Sequence, residues 1–223
     1  RSISLTYYAE WVLGVLRPTN APYIVTEWMD DAHILTAKNT YQEIFKEATA
    51  FLGIFPDQYS RDNTAVFEDQ SWTANRTEFI GRNGSMEHPT GLKNVSLSGR
   101  TGTFNETCGA IQQKLTLEPN SEQVVYVILG CDDSNEGVLE LANKYSQPAV
   151  CEEALQDVLD FWNKHLNQIQ VSTPSTETNI LLNGWLLYQS LACRMWARTA
   201  FYQAGGAYGF RDQLQDSLAM LHT

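Results

Sequence analysis

The sequence has little of what membrane and nucleic-acid proteins need. Its longest apolar runs, such as Val124–Gly130, are far too short to cross a bilayer. It has no basic run, and 15 Lys and Arg residues against 26 Asp and Glu residues give a formal net charge of −11. Such a surface would repel a phosphate backbone. We therefore predict no nucleic-acid partner and no direct membrane contact by these residues.

Cysteine is scarce, and its spacing excludes the common metal sites. The chain has 4 cysteines and no C-x-x-C pair, and no cluster of histidines lies beside them. We therefore predict no metal ion, and the scattered thiols favour a reduced, cytoplasmic protein. Several Asn-x-Ser/Thr triplets fit the N-glycosylation pattern, but such triplets also arise by chance in polar loops.

Signals of nucleophilic catalysis are missing as well. There is no G-x-S-x-G motif, and the 4 histidines lie near no obvious nucleophile in the sequence. Asp212 and Asp216 could suggest the carboxylate pair of a glycosidase. However, they share one helical turn, whereas the two carboxylates that flank a glycosidic bond normally come from separate elements. We assign no catalytic residue.

The first part of the chain, residues 1–132, has the pattern of an antiparallel β-sandwich. Short segments with period-two alternation, rich in β-branched and aromatic residues, follow one another between turns without helical stretches. In the first of them, Ile3, Leu5, Tyr7 and Trp11 are predicted to face a core. The segments are SISLTYYAEWVLGVL, YIVTEW, HILTAKN, AFLGIF, RTEFIG, AIQQKLTLEP and QVVYVILG.

Residues 133–172 change to a helical period and are predicted to form linker helices. Asp133 or Ser134 can cap a short helix that runs through Tyr145, and Pro148 can open a second one. Apolar residues of the second helix recur at threes and fours from Ala154 to Ile169, so we expect it to pack along one side.

Residues 173–223 are predicted to start a helical domain after the polar break 171–178. From Asn179 to Gln203 we expect one helix, with Gly184 as its only breaker, buried on several sides. A last helix is predicted to begin near Phe210. The chain begins at Arg1 in a strand pattern and ends in a helical one, so we expect it to be a fragment of a larger protein.

AYGFRDQLQD, residues 207–216, is the first candidate site. Asp212, Gln215 and Asp216 share one helix face, and planar carboxylate and amide groups can take hydrogen bonds from adjacent sugar hydroxyls. Tyr208 and Phe210, beside glycines, could stack on sugar rings. In the alternative interpretation, Asp212 and Gln215 form a capping box at the start of a helix. Both interpretations remain open from the residues alone.

WTANRTEFIGRNGS, residues 72–85, is the second candidate site. Arg76, Glu78, Arg82 and Asn83 lie among turn glycines, where a loop on a rigid sandwich can reach a ligand or a neighbouring subunit. The alternative is an exposed β-hairpin with ion pairs across it.

Three motifs resemble the glycoside phosphorylases of family 94, most closely the branch that makes or degrades β-1,2-glucans. They are SLTYYAEWVLG, RTEFIGRNGS and WLLYQSLACRMWARTAFYQAGGAYGFRDQLQD, and the resemblance spans essentially the whole chain. It implies a β-sandwich, linker helices and the first helices of an (α/α)6 barrel, within a bacterial enzyme of carbohydrate metabolism. It also implies a homodimer formed through the sandwich.

The activity implied by this resemblance is phosphorolysis of a β-glucosidic bond with inversion, which releases α-glucose 1-phosphate. Inorganic phosphate would be the co-substrate, with no cofactor, and the general acid would lie C-terminal to this chain, leaving the fragment inactive. Asp212 of G-F-R-D would hold the donor sugar of an oligo- or polysaccharide. Relatives specific for β-1,4 bonds carry an arginine near the position of Gly205 or Gly206, so its absence favours another linkage such as β-1,2. The substrate-binding residues implied are Gln203, Tyr208, Phe210, Arg211, Asp212 and Gln215.

Two alternatives stay open. The sandwich could be a carbohydrate-binding or oligomerisation module without chemistry of its own, or the parent could be a family 94-like hydrolase. The parent itself could be a soluble phosphorylase or the cytoplasmic part of an inner-membrane synthase.

Overall fold

The chain divides into two compact units in a computed structural model, which describes residues 1–41, 43, 45–57, 69–196, 210–218 and 220–221. The N-terminal unit is Arg1–Cys151 and the C-terminal unit is Glu152–Thr223. The division falls inside one helix, α4. The predicted three-part division at residues 132 and 172 stays a prediction.

The described residues of the N-terminal unit form two antiparallel sheets. A three-stranded sheet has the order β1-β7-β5, and a five-stranded sheet has the order β6-β2-β3-β4-β8. The β-sandwich predicted from the alternating segments is therefore confirmed. The strands are β1 (Ser2–Glu10), β2 (Ile24–Met29), β3 (Ile34–Asn39), β4 (Thr49–Pro56), β5 (Gln70–Asn75), β6 (Gly102–Thr103), β7 (Thr107–Thr116) and β8 (Val125–Asp132).

The main core lies between the two sheets because alternate residues of each strand point inward. Leu35 and Leu52 of the larger sheet pack in one cluster with Ile111 of the smaller one. Trp28 of β2 and Trp72 of β5 stack across the gap, with ring centroids 3.8 Å apart and planes 8° apart. The core face of β1 begins only at Tyr7, since Ile3 and Leu5, predicted to be inward, are exposed.

The helices are mostly short. They are α1 (Arg17–Asn20), α2 (Arg76–Ile80), α3 (Asn135–Tyr145), α4 (Pro148–Leu166), α5 (Thr176–Ile180), α6 (Leu186–Gln189) and α7 (Phe210–Leu218), with π-helical turns at Leu181–Trp185 and Ser190–Trp196 and 3-10 turns at Ala21–Tyr23 and Thr90–Lys93.

The first linker helix, α3, packs on the sandwich. It begins where predicted, because the Ser134 hydroxyl accepts a hydrogen bond from the Gly137 amide at 2.9 Å. Val138 and Ala142 then pack against Phe51 and Phe55 of β4, in a second core on the other face of the five-stranded sheet. Helix α3 therefore belongs to the same compact unit as the strands.

The predicted strand RTEFIG is wrong, and so is the β-hairpin interpretation of residues 72–85. Strand β5 ends at Asn75 and the chain turns directly into α2. The cause is a helix cap, since Asn75 Oδ1 accepts a hydrogen bond from the Glu78 amide at 3.1 Å. A capping side chain overrides the β propensity of Thr77, Phe79 and Ile80.

The single helix predicted from Asn179 is also wrong. The chain leaves helical geometry at Asn183 and Gly184, where Gly184 has a φ of 116°. The Asn183 amide instead pairs with the backbone of Val171, accepting from its nitrogen at 2.7 Å and donating to its oxygen at 2.8 Å. Burial on several sides is contradicted too, because Trp185 and Trp196 are both exposed.

Helix α4 is amphipathic as predicted, but it is only partly packed. Phe161 and Trp162 contact the ring of Trp196, with centroids 5.7 Å and 5.6 Å away. Nearer its start, Leu155 and Leu159 are exposed, and no residue of the helix is fully buried. The prediction of a helix packed along one side therefore holds only for its C-terminal part.

Leu52 and Leu129 give a matched test of the core. They are cross-strand partners on β4 and β8, yet Leu52 is 0% exposed and Leu129 is 56% exposed. Leu52→Ala should lower the free energy of unfolding by roughly 3 kcal/mol through lost burial and a cavity. Leu129→Ala should cost less than about 1 kcal/mol. Urea denaturation measures both, and equal losses would contradict the described core.

Candidate functional site

The first candidate region is the junction of β5 and α2, which Arg76 anchors. Its guanidinium donates from Nε to Glu10 Oε1 at 2.7 Å and from Nη1 to Glu106 Oε2 at 2.9 Å. Glu10 ends β1, and Glu106 lies just before β7. Arg76 therefore ties the first turn of α2 to two other parts of the three-stranded sheet, through charge-assisted hydrogen bonds.

The Glu10 carboxylate receives three donors. Besides Arg76, Tyr8 donates its hydroxyl to Oε1 at 2.8 Å, and Arg17 pairs with Oε2. Burial alone would raise the pKa of Glu10, but hydrogen bonds from Arg76 and Tyr8 and the charge of Arg17 outweigh it and lower that pKa. A carboxylate of lowered pKa is a poor general acid at neutral pH. The cluster is suited to holding structure rather than to moving protons.

Burial keeps two groups near Glu10 protonated. Burial and the hydrogen bond to Glu10 raise the pKa of Tyr8. Burial also raises the pKa of the nearby Cys108 thiol to about 12, so this cysteine is no nucleophile. Phe79 of α2 stacks on Tyr8 with centroids 4.9 Å apart and packs against Cys108. Helix α2 is therefore fixed by an apolar contact as well as by ion pairs.

Residues 81–88, which we call the sandwich loop, follow this anchored helix. Gly81 ends α2 with a φ of 84°, and its amide donates to the Thr77 carbonyl at 3.0 Å. A Cβ at Gly84 would collide with the carbonyl oxygen of Ile80. These two glycines are therefore required for the tight path of the loop.

The structure separates the four residues predicted for this loop. Arg82 and Asn83 have exposed side chains. Arg76 is turned into the ion cluster, and Glu78 is half-buried with Oε2 3.5 Å from Arg100. Contact with a ligand stays a prediction for all four residues, but of these only Arg82 and Asn83 have exposed side chains. Sequence reasoning missed Glu10 because its partner lies 66 positions away.

The second candidate region is α7 in the C-terminal unit. Phe210 is 82% exposed, and Arg211 and Gln215 are exposed as well. Helix α7 is described from Phe210 onward, so Asp212 lies inside the helix rather than at the N-cap position that the capping box required. Only the backbone of Asp212 is described. Tyr208 and Gln203 lie outside the described residues.

Asp216 makes a contact that the sequence did not predict. Arg194 donates from Nε to Asp216 Oδ1 at 2.9 Å. The Asp216 side chain is only 11% exposed, while that of Arg194 is 54% exposed. Asp216 is therefore held by the preceding helical turn. Its spacing from Asp212 suggested a shared ligand, and no local pattern marked Arg194 as its partner.

A cavity of about 430 Å³ also lies in the C-terminal unit. Its lining is mostly apolar, and the polar members are His165 and Gln168. His165 Nδ1 lies 2.7 Å from the carbonyl oxygen of Phe161, within the same helix. Among the described residues, no carboxylate lines the cavity, so they supply no acid for glycoside cleavage there. The lining residues are Phe161, His165, Gln168, Leu187, Leu191, Trp196 and Met220.

Comparison with protein families places both units in one family. Residues 1–148 match the supersandwich domain of glycosyl hydrolase 94, and residues 161–223 match the catalytic domain of the glycosyl hydrolase 94 superfamily. The chain belongs to the glycosyl hydrolase 94 family. The resemblance predicted from the three motifs is therefore confirmed.

Curated relatives include a glucan synthase and several phosphorylases. The chain is 36% identical to the cyclic beta-(1,2)-glucan synthase NdvB of Rhizobium meliloti (strain 1021), over 99% of this chain and 7% of the synthase. It is 29% identical to the N,N'-diacetylchitobiose phosphorylase of Vibrio furnissii, over 72% of this chain and 20% of that enzyme. It is 26% identical to the solabiose phosphorylase of Paenibacillus borealis, over 89% of this chain and 24% of that enzyme.

These matches show that the chain corresponds to part of a phosphorylase-like protein, since it spans less than a quarter of each of these relatives. Within the part of the chain that the structure describes, no helix has the length and apolar character needed to span a membrane.

Glu10 gives a test of the ion cluster. Glu10→Gln should lower the free energy of unfolding by roughly 2 to 3 kcal/mol near pH 7, because Arg76 loses a charged acceptor. The folded pKa of Glu10 lies below its ordinary value of 4.5. Its stabilisation is therefore present above that pH and is lost as the pH falls through the folded pKa. Urea denaturation at a series of acid pH values should show that the free energy of unfolding falls less steeply with decreasing pH in the variant than in the wild type.

The matched control for this test is Glu47→Gln, whose carboxylate is 67% exposed and lies 3.5 Å from Lys38. It should change stability by less than about 1 kcal/mol. If both variants lose the same stability, or if Glu10→Gln keeps the full acid dependence, the anchoring role of Glu10 is wrong.

Proposed function

We propose that this chain is part of an enzyme that cleaves β-1,2-glucosidic bonds with inorganic phosphate. The observation that supports this most is the similarity, along nearly the whole chain, to a synthase named for β-(1,2)-glucan. Named phosphorylases among the other relatives support the phosphate-dependent chemistry. In a synthase parent, such a module would trim the glucan chain.

The proposed reaction has one step. A phosphate oxygen attacks the anomeric carbon from the face opposite the leaving oxygen, so the new C–O bond forms as the glycosidic C–O bond breaks. A carboxylic acid protonates the leaving oxygen, and the product is α-glucose 1-phosphate. Only one acid is needed, since phosphate supplies the nucleophile. We assign that acid to residues outside positions 1–223.

The contribution of this chain is to bind sugar. In the proposal, Asp212 accepts hydrogen bonds from two hydroxyls of the donor glucose, as carboxylates commonly do with vicinal hydroxyls. The exposed side chains of Phe210, Arg211 and Gln215 support an open ligand face on α7. Gln203 and Tyr208 belong to the same proposed group.

The proposed sugar site would lie in a helical barrel of a dimeric enzyme. The helices of residues 173–223 would begin an (α/α)6 barrel, in a cytoplasmic protein or domain. The sandwiches of two copies would form a homodimer, and the sandwich loop of one copy would reach the sugar site of the other. Arg82 and Asn83 are exposed and follow an anchored helix, in a loop whose path depends on two glycines, which supports this role.

Asp212→Asn in the full-length enzyme tests the sugar-binding role. We expect a higher Michaelis constant for the glucan and slower turnover, by roughly 2 to 4 kcal/mol in transition-state stabilisation, because charged hydrogen bonds to the sugar are lost. Asp157→Asn, an exposed position in α4, should leave the kinetics unchanged. Wild-type kinetics in Asp212→Asn, with only a small loss of thermal stability, would make Asp212 a structural residue.

Subunit mixing tests the role of the sandwich loop. An Arg82→Ala, Asn83→Ala variant and Asp212→Asn should each be impaired alone. Co-expressed, they should recover about a quarter of wild-type activity, because half of the dimers are mixed and each has one intact site. Lys46→Ala, exposed elsewhere on the same unit, serves as the loop control. Activity of the mixture no higher than the average of the two variants would contradict a loop that acts across the dimer.

A further inference from the structure

The ion pair between Arg194 and Asp216 joins the turn Ser190–Trp196 to helix α7. The two residues are 22 positions apart, and Nε and Oδ1 are 2.9 Å apart. All of Gln203, Tyr208, Phe210, Arg211, Asp212 and Gln215 fall between them in the sequence. The pair therefore holds the described part of α7 against the turn that contains Arg194.

The surroundings of the pair differ on its two sides. The Asp216 side chain is 11% exposed and that of Arg194 is 54% exposed, so the carboxylate is largely removed from water while the arginine is not. Removing Arg194 would therefore leave a carboxylate that has little contact with water. Arg194 also lies in the π-helical turn Ser190–Trp196, a geometry that is rare in helices and frequent near functional sites.

The position of Asp216 in α7 links this ion pair to the sugar site. Asp212 lies one helical turn before Asp216, so holding Asp216 also fixes the axial position of the first turn of α7. Small displacements of a binding group are costly, because affinity and rate depend on preorganised geometry.

We propose that Arg194 and Asp216 are positioning residues for donor-sugar binding by Asp212. They act through the placement of α7 and not by touching the sugar, since Asp216 is occupied by Arg194. This inference rests on the proposed phosphorolytic function and extends it to two residues. A purely structural ion pair would instead affect folding and the fraction of active enzyme, without changing affinity for one substrate.

The experiment compares Asp216→Asn, Arg194→Met and the double variant in the full-length enzyme. The probes are a β-1,2-linked glucooligosaccharide and inorganic phosphate, each varied in turn. Asp160→Asn is the matched control, since Asp160 is an exposed carboxylate in the same unit that accepts a hydrogen bond from Gln156 at 2.8 Å. Asp216→Glu and Arg194→Lys keep the charges and serve as conservative variants.

We expect the Michaelis constant for the saccharide to rise about tenfold or more in the single variants. The Michaelis constant for phosphate should stay within about twofold, because neither Arg194 nor Asp216 is proposed to act on phosphate binding. The double variant should lose less than the sum of the two single variants, because Arg194 and Asp216 share one ion pair. The conservative variants should recover part of the loss, and amide exchange across α7 should be faster only where the pair is broken.

An unchanged saccharide constant in Asp216→Asn, with wild-type phosphorolysis otherwise intact, would overturn the positioning role. So would a loss of turnover with lower thermal stability but unaltered Michaelis constants for both substrates. If the wild-type enzyme itself shows no phosphate-dependent cleavage, the proposed function falls, and this inference falls with it.

Discussion

The carboxylate of Glu10 is the contact on which the smaller sheet and its helix depend. It lies at the end of β1 and receives hydrogen bonds from Arg76 at the start of α2 and from Tyr8. Tyr8 in turn stacks on Phe79 of the same helix. Without this anion, two arginines would face each other across a half-buried space. The direction of α2, and of the sandwich loop that follows it, therefore depends on this charge together with the contact between Tyr8 and Phe79.

In both candidate regions, an ion pair between an arginine and a carboxylate holds a helix in place. In each, an arginine and a carboxylate distant in the sequence fix a short helix, and exposed polar residues lie next to the fixed element. Arg76 does this for Arg82 and Asn83, and Arg194 does it for Phe210, Arg211 and Gln215. Ion pairs of this kind contribute direction as well as stability, because guanidinium hydrogen bonds are planar and directional. A site for a hydroxyl-rich ligand needs side chains held in a fixed orientation, since sugar hydroxyls are recognised by hydrogen bonds of fixed geometry.

Local pattern in the sequence predicted much of the fold. Period-two alternation located six of the eight described strands and missed β5 and β6. Ser134 and Pro148 marked the starts of α3 and α4, because caps and periodicity are short-range signals. RTEFIG was mistaken for a strand because its β propensity hid the cap supplied by Asn75. The break at Asn183 was not predicted because its partner, Val171, lies 12 positions away.

The residues of the candidate sites were also predictable only where the signal was local in the sequence. The exposed residues of α7 and of the sandwich loop were marked by composition and by family resemblance. Glu10 and Arg194, which hold those elements, were not, because nothing near them in the sequence shows their partners. Tertiary contacts decide which polar residues anchor the structure and which remain available to a ligand, and a single sequence does not display them.

The most direct measurement follows the products when the full-length enzyme acts on a β-1,2-glucooligosaccharide with inorganic phosphate. Nuclear magnetic resonance of the reaction mixture identifies the released sugar and its anomeric form. The proposed function predicts α-glucose 1-phosphate, formed only when phosphate is present. Free glucose in place of the phosphate ester, β-glucose 1-phosphate, or cleavage independent of phosphate would contradict it.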